Sequence, residues 1–184
     1  MSGGASKLIA AMMLATCLCL FGCAGVVMQS EIPDISDPPP DAAVQLTVRC
    51  AGGKCGYVDE NGEFAIPLTY KVAKPFYEGL ASVYVEDVGW GAIDPVGKLV
   101  IPPRFAWIGP FSEGLAGAEL NVKNLWEWAY IDHTGKTMIP LAYNVERASP
   151  FHAGKAWVRC PFLFSSMSKE IDRSGRVLRR IYPR

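Results

Sequence analysis

Few side chains in this chain have the type and spacing for covalent or metal chemistry. There are two histidines and six cysteines in 184 residues. His133 lies inside an Asp-x-x-Gly stretch and His152 adjoins Ala153-Gly154, so both belong to expected turns, where an imidazole is ordinarily solvated. Neither has a nucleophile and an orienting carboxylate at a spacing that assembles a catalytic set. No Gly-x-Ser-x-Gly, phosphate loop or metal motif occurs. The neighbouring carboxylates Glu86 and Asp87 fall at an expected strand end and read as solvated charge. The catalytic set is therefore empty, no cofactor is implied, and the chain is not expected to be an enzyme.

Four aspartates come closer to a ligand set. Asp59, Asp94, Asp132 and Asp172 each stand three residues before a glycine, at Gly62, Gly97, Gly135 and Gly175. Calcium needs dense, alternating oxygen ligands within one loop, and each loop here offers one Asp; Glu60 and Glu63 beside Asp59 do not change that. The aspartates are expected to cap turns, and no metal is expected. Cys50 and Cys55 flank Ala51-Gly52-Gly53-Lys54, a hairpin-like loop, and are a disulfide candidate in an oxidising compartment. Closing so short a loop contributes about 2 kcal/mol on the chain-entropy estimate. Cys160 reads as a buried free thiol, because no second close pair and no His at ligand spacing accompanies it.

The N-terminus sets the compartment. From Leu8 to Met28 the only polar side chain is Thr16; Lys7 precedes the run, and Gly22, Ala24 and Gly25 lie near its end. A positive start, an apolar middle and a small-residue end are the layout of an export signal. Leu20-Phe21-Gly22-Cys23 resembles the bacterial lipoprotein signal, in which Leu, a small residue and Gly or Ala precede a cysteine. Phe21 departs from that pattern. The resemblance implies a signal peptide over residues 1–22 and lipidation of Cys23. More than one acyl chain there suffices for stable anchoring. Two other readings stay open: an uncleaved anchor over Leu8–Met28, long enough to span ~30 Å of hydrocarbon, and ordinary cleavage near Ala24 or Gly25. All three place the remainder outside the cytoplasm. In lipoproteins of two-membrane bacteria, Ala24 and Gly25 in place of Asp imply the outer membrane, facing the periplasm.

The elements that must position these residues begin after a tether. Residues 23–45 are acidic and proline-rich, and Pro38-Pro39-Pro40 stiffens them. Over 46–184 the chain repeats. The aspartates 59, 94, 132 and 172 are separated by 35, 38 and 40 residues, and so are the glycines. Each turn is followed by Ile-Pro at Ile66-Pro67, Ile101-Pro102 and Ile139-Pro140. A Pro-Phe pair comes next (Phe76, Phe111, Phe151), then Glu78-Gly79-Leu80-Ala81, Glu113-Gly114-Leu115-Ala116 and, more loosely, Ala153-Gly154-Lys155-Ala156. Leu46–Cys50 resembles the last strand of a unit, so a partial unit opens the array, and a truncated one follows the third.

Asp-x-x-Gly between short apolar runs is a hairpin signal: the Asp bonds backbone N–H groups and the Gly supplies a positive φ. Ile-Pro is expected to end the second strand, because Pro cannot donate to a ladder. Leu-Ala-x-Val begins a third strand, and no helical periodicity appears beyond residue 45. The expectation is an all-β domain of tandem three-stranded antiparallel meanders. They stack as an open propeller-like or solenoid-like array, since one unit cannot bury its apolar face alone.

These residues resemble the WG-repeat family. The second unit is closest, with Trp90-Gly91-Ala92-Ile93-Asp94, Lys98-Leu99-Val100-Ile101-Pro102-Pro103-Arg104-Phe105 and Phe111-Ser112-Glu113-Gly114-Leu115-Ala116. The first unit has Cys55-Gly56, and the third Trp128-Ala129, where Trp-Gly is expected. The resemblance implies an interaction module and carries no catalytic residue.

Lys+Arg and Asp+Glu both total 18, which gives no general charge argument for nucleic acid. Trp90, Trp126, Trp128 and Trp157 are expected in the core. Trp107 falls in an expected loop, so Trp107 with Arg104 and Phe105 forms the candidate binding surface. The basic end (Arg173, Arg176, Arg179, Arg180, Arg184) reads as the polar edge of a terminal repeat, which discourages end-to-end association, with contact to anionic lipid head groups or another polyanion as the alternative. The sequence thus points to an exported, membrane-anchored envelope protein whose repeats bind a protein or cell-wall partner. A spacer without a ligand, and an envelope hydrolase using His133 or His152, are the alternatives. Oligomeric state has no signal in the sequence.

Overall fold

The computed structural model describes residues 37–40, 42–122, 125–141, 145–162 and 165–182. The apolar N-terminal run and Cys23 lie outside them. The described residues form fourteen strands and no helix: β1 (Thr47–Ala51), β2 (Lys54–Val58), β3 (Phe64–Tyr70), β4 (Val72–Tyr77), β5 (Leu80–Val85), β6 (Gly89–Ile93), β7 (Leu99–Ile108), β8 (Ala116–Val122), β9 (Leu125–Ile131), β10 (Thr137–Pro140), β11 (Arg147–Ala148), β12 (Lys155–Phe162), β13 (Ser165–Asp172) and β14 (Val177–Ile181). Every pairing is antiparallel and joins strands consecutive in the chain.

The turns explain the hairpins. In the second unit Asp94 Oδ1 accepts from the N–H of Val96 at 3.1 Å and of Lys98 at 2.8 Å, while Gly97 N–H donates to the Asp94 carbonyl at 2.9 Å. Gly97 has φ 83°, a left-handed conformation that costs little without a Cβ. The turns at Asp59, Asp132 and Asp172 repeat these bonds, each with a glycine φ between 80° and 84°.

Pairing order gives one three-stranded sheet (β1-β2-β3), one seven-stranded sheet (β4 to β10) and one four-stranded sheet (β11 to β14). The seven-stranded sheet is two four-stranded meanders sharing β7. That strand pairs with β6 from Leu99 to Phe105 and with β8 from Phe105 to Ile108. One long strand thus leaves one meander and opens the next. In the flanking units the same run is split, as β3 and β4 around Lys71 and as β10 and β11. The result is four successive sheets: β1–β3, β4–β7, β7–β10 and β11–β14.

Two expectations need correction. Ile-Pro does not end the second strand: β3 continues through Pro67, β7 continues through Pro102 and Pro103, and only β10 stops at Pro140. These prolines lie on the outer strand of each sheet, where a missing N–H breaks no second ladder, and within register shifts of the β2–β3 and β6–β7 pairs. The expected loop around Trp107 is for the same reason the second half of β7.

A hydrophobic core fills each junction between successive sheets. Tyr57 and Ile66 meet Phe76, Val83 and Ile93 in the first. Ala92 and Ile101 meet Ile108, Phe111 and Ile131 in the second. Tyr130 and Ile139 meet Phe151, Val158 and Ile171 in the third. The Pro-Phe residues Phe76, Phe111 and Phe151 are no more than 2% exposed. The alanines of the Glu-Gly-Leu-Ala stretch, Ala81, Ala116 and Ala156, are equally buried and let the sheets approach. Val44 and Leu46 pack against the first core.

Candidate functional site

The Trp-Gly position shows how a unit fixes its neighbouring strand. A Cβ at Gly91 would lie 2.5 Å from the Ile101 carbonyl oxygen and one at Gly56 2.4 Å from that of Ile66, so the second strand passes directly over the glycine. Ala129 takes this place in the third unit, where β10 ends opposite it at Pro140. The preceding tryptophans shield the junctions: Trp128 is 6% exposed in the third core, and Trp90 packs half-buried against the second. In the first unit Cys55 stands there instead and is joined to Cys50 by a disulfide across the β1–β2 hairpin, with Cα atoms 4.0 Å apart. Cys160 is free and buried.

Two contact patterns link the sheets, the first at all three junctions and the second at the last two. The turn glycine of one sheet rests on the isoleucine of the Ile-Pro pair before it: a Cβ at Gly97 would meet Ile66, one at Gly135 Ile101, and one at Gly175 Ile139. The Glu-Gly turns form the second pattern. Glu78 Oε2 accepts from the Gly114 N–H at 2.9 Å and contacts His133 Nε2 at 3.0 Å. Glu113 accepts from the Gly154 N–H at 3.0 Å through Oε2 and lies 3.7 Å from Arg173. Glu78 and Glu113 hold positive φ angles of 52° and 55°, as does Ala153 at 50°. A non-glycine residue there is strained, and the bond across the junction offsets the strain in the first two. In the sequence these glutamates read only as turn residues. The signal was their identical distance from each Pro-Phe pair.

The aspartates are committed to their own turns. Asp132 is held below the usual carboxylate range, first by the Thr134 hydroxyl and then by backbone N–H groups. Asp172 is lowered to about 2, first by the Ser174 hydroxyl. Among the described residues no group of three or more His, Cys, Asp or Glu side chains converges on a metal position. His133 is hydrogen-bonded to Glu78 and its ring lies tilted, 4.9 Å from that of Phe111; His152 is exposed. Pro38 and Pro39 border a recess of about 280 Å³ with Tyr77, Glu78, Phe111 and Ser112.

Arg104, Phe105 and Trp107 do not form one surface. Phe105 is 3% exposed within the second core. The Arg104 guanidinium donates to the Gly135 carbonyl at 2.9 Å and bridges two sheets. Trp107 is half-buried, its ring 5.4 Å from that of Trp128. Lys74, which sequence reading passed over, supplies its other neighbour: the ammonium lies 4.3 Å from the Trp107 ring and 4.9 Å from the Trp90 ring and donates to the Ile108 carbonyl at 2.9 Å. Burial lowers the Lys74 pKa to about 8, with Asp37 opposing the shift and Arg147 adding to it. The only hint in the sequence was a cation where the other units carry Gly109 and Ser149.

Large apolar side chains face solvent at turns and strand ends (Val72, Val88, Val96, Tyr182) and, repeatedly, on the outer strands. Two and three residues after each turn glycine stand Phe64, Leu99, Val100, Met138, Val177 and Leu178, all between 38% and 50% exposed. Each belongs to β3, β7, β10 or β14, the strands with one unpaired edge in this part of each sheet. One or two of these side chains occur in each of the four sheets, on its outer strand.

No curated protein and no solved structure matches the chain. A family model described as WG containing repeat matches three successive stretches, residues 56–87, 90–126 and 128–160. Those boundaries follow the units built from the turns, the Trp-Gly crossings and the Glu-Gly contacts, and they cover more than half of the sequence. The chain belongs to the family of proteins built from the WG containing repeat.

Proposed function

We propose that this is an exported, lipid-anchored envelope protein whose repeats form a non-catalytic module for a protein or cell-wall partner. The observation that carries the reading is the exposed apolar row. Isoleucine, phenylalanine and alanine at most repeat positions are consumed by the junctions between sheets, yet the two positions after Lys98, Lys136 and Arg176 stay solvated and mostly apolar. Single exposed apolar residues are ordinary, whereas a periodic set marks a contact surface. The unpaired edges of these strands also offer backbone groups to an extended partner segment, with prolines limiting indiscriminate pairing.

Lipid at Cys23 rests on the spacing Leu20-Phe21-Gly22-Cys23 behind an apolar run. The Cys23→Ser protein is expected to lose the acyl mass; an unchanged mass contradicts the anchor. The module is tested by immobilising the full chain, exposing it to a detergent extract of the native envelope and identifying retained material by mass spectrometry. A Val100→Asp/Met138→Asp variant runs beside it, because both side chains are exposed and belong to none of the three cores. Trp107 is unsuited to this use, since truncating it opens the third core. A component retained by the parent and reduced at least tenfold by the variant is expected. Equal retention by both, or nothing above a bead control, contradicts the reading.

A further inference from the structure

The two ends of the array carry opposite charge. In the first sheet the β2–β3 turn and β3, residues 55–70, contain Asp59, Glu60 and Glu63 and no Lys or Arg, with Arg49 and Lys54 on the preceding β1–β2 hairpin. The last hairpin, residues 165–182, contains Lys169, Arg173, Arg176, Arg179 and Arg180 against Glu170 and Asp172. The two Asp-x-x-Gly hairpins between them are close to balanced, with Asp94 against Lys98 and Arg104 in one and Glu127 and Asp132 against Lys136 in the other, while Arg147, Lys155 and Arg159 add to the positive charge of the last sheet. Glu60, Glu63 and Arg180 are exposed and enter no ion pair among the described residues.

The contacts that join successive sheets are altered at these ends in matching ways. At each internal junction an isoleucine meets a turn glycine. In the last unit Arg179 stands in the place of Ile66, Ile101 and Ile139, four residues after its turn glycine. In the first unit Gly62 has the same conformation as the other turn glycines, yet a Cβ there would meet nothing within 4 Å. The open turn glycine is the one flanked by three carboxylates; Arg179 itself lies 3.6 Å from Glu170 and over the Trp157 ring, so the exposed charge at that end is carried by its neighbour Arg180. The glutamate ladder changes in parallel. Ala153 replaces Glu78 and Glu113, and among the described residues no strand or Glu-Gly turn precedes β1 to receive such a carboxylate. Each end also exposes apolar surface, Phe64 on one and Val177 and Leu178 on the other.

We infer that the acidic β2–β3 hairpin of one copy docks against the basic β13–β14 hairpin of a second copy, an end-to-end contact between identical chains. It rests on the reading that the repeats hold a partner, and it names that partner at the two ends. A membrane surface fits less well, because the charge turns from acidic at one end to basic at the other. Opposite charge across such a contact steers encounter and fixes register, and it weakens with salt. A contact between different surfaces of identical chains extends into chains of molecules unless the rotation closes.

The test is a charge swap on the full chain in a non-ionic detergent, read by sedimentation at low and high salt. One variant is Glu60→Arg/Glu63→Arg and the other is Lys169→Glu/Arg180→Glu; circular dichroism and denaturation midpoints show that both are folded. The parent is expected to associate at low salt and to lose at least tenfold in affinity in 0.5 M salt. Each variant alone is expected to be at least tenfold weaker than the parent, and an equimolar mixture of the two is expected to form pairs again. Association that neither variant alters would come from the N-terminal apolar segment and would overturn the inference. A parent that stays monomeric at low salt, or a mixture that does not recover, overturns it as well. The envelope capture reads the outer row in the middle units, so self-association can fail while that module stands.

Discussion

A methyl group added at Gly91 would sit 2.5 Å from the Ile101 carbonyl oxygen and 2.9 Å from the Pro103 nitrogen, both backbone atoms that cannot swing aside. Gly91→Ala is therefore expected to destabilise the protein by about 1–3 kcal/mol, the usual cost of forcing extra atoms into a packed site. Ala129→Gly should cost about 1 kcal/mol or less, from strand entropy alone, because β10 has ended opposite it. Urea denaturation of the two variants measures the contrast; equal losses would contradict the crossing as the reason for glycine. The aspartates give a pH dependence of definite sign. The folded carboxyl of Asp172, at about 2, lies below the ~3.9 of an unfolded Asp, so its contribution is present above about pH 4 and is lost as pH falls toward 2. Asp132 acts in the same direction. The stability difference between the parent and Asp172→Asn should shrink between pH 4 and 2. A difference independent of pH would show that the turn does not depend on the ionised carboxylate.

At the scale of elements, the hairpins are held by their own turns and the sheets by bonds that leap one repeat. Glu113→Ala removes the acceptor for the Gly154 N–H and leaves a positive φ with nothing to offset it. A loss of about 1 kcal/mol is expected, at the low end for a charged acceptor because the site is partly solvated. Ala153→Gly should be neutral or slightly stabilising, since Ala153 bears the same φ without the bond. Thermal unfolding of both variants checks this, and a tolerated Glu113→Ala would contradict the ladder. The hairpins were legible in the sequence because Asp-x-x-Gly is local chemistry: the four turns, the strand after each Glu-Gly turn and the Cys50–Cys55 hairpin follow from adjacent residues. The strand through Pro102 and Pro103 was not legible, because a proline's effect depends on whether the strand lies at a sheet edge. Nor was the fate of Arg104, Phe105 and Trp107, whose burial depends on the junction that β7 makes when it changes sheets. Lys74 escaped for a related reason: a lysine is read as solvated until two tryptophans from other strands are placed beside it.

The whole molecule is a series of sheets in which each contacts its neighbours through its own core, so its stability is close to a sum of unit and junction terms. Such an architecture separates two roles within one repeat. Inward positions are fixed by the next repeat, and the outer-strand positions after each turn are left for something else. Repeat periodicity made that division readable as stacking but did not show which side the two residues after the turn face. Hydrogen–deuterium exchange of the full chain, alone and mixed with native envelope extract, tests the division most directly. Slower exchange is expected in β3, the first half of β7 and β10 when the extract is present, with β5 and β8 unchanged. Identical exchange in those outer strands with and without the extract, or protection confined to β5 and β8, would contradict it.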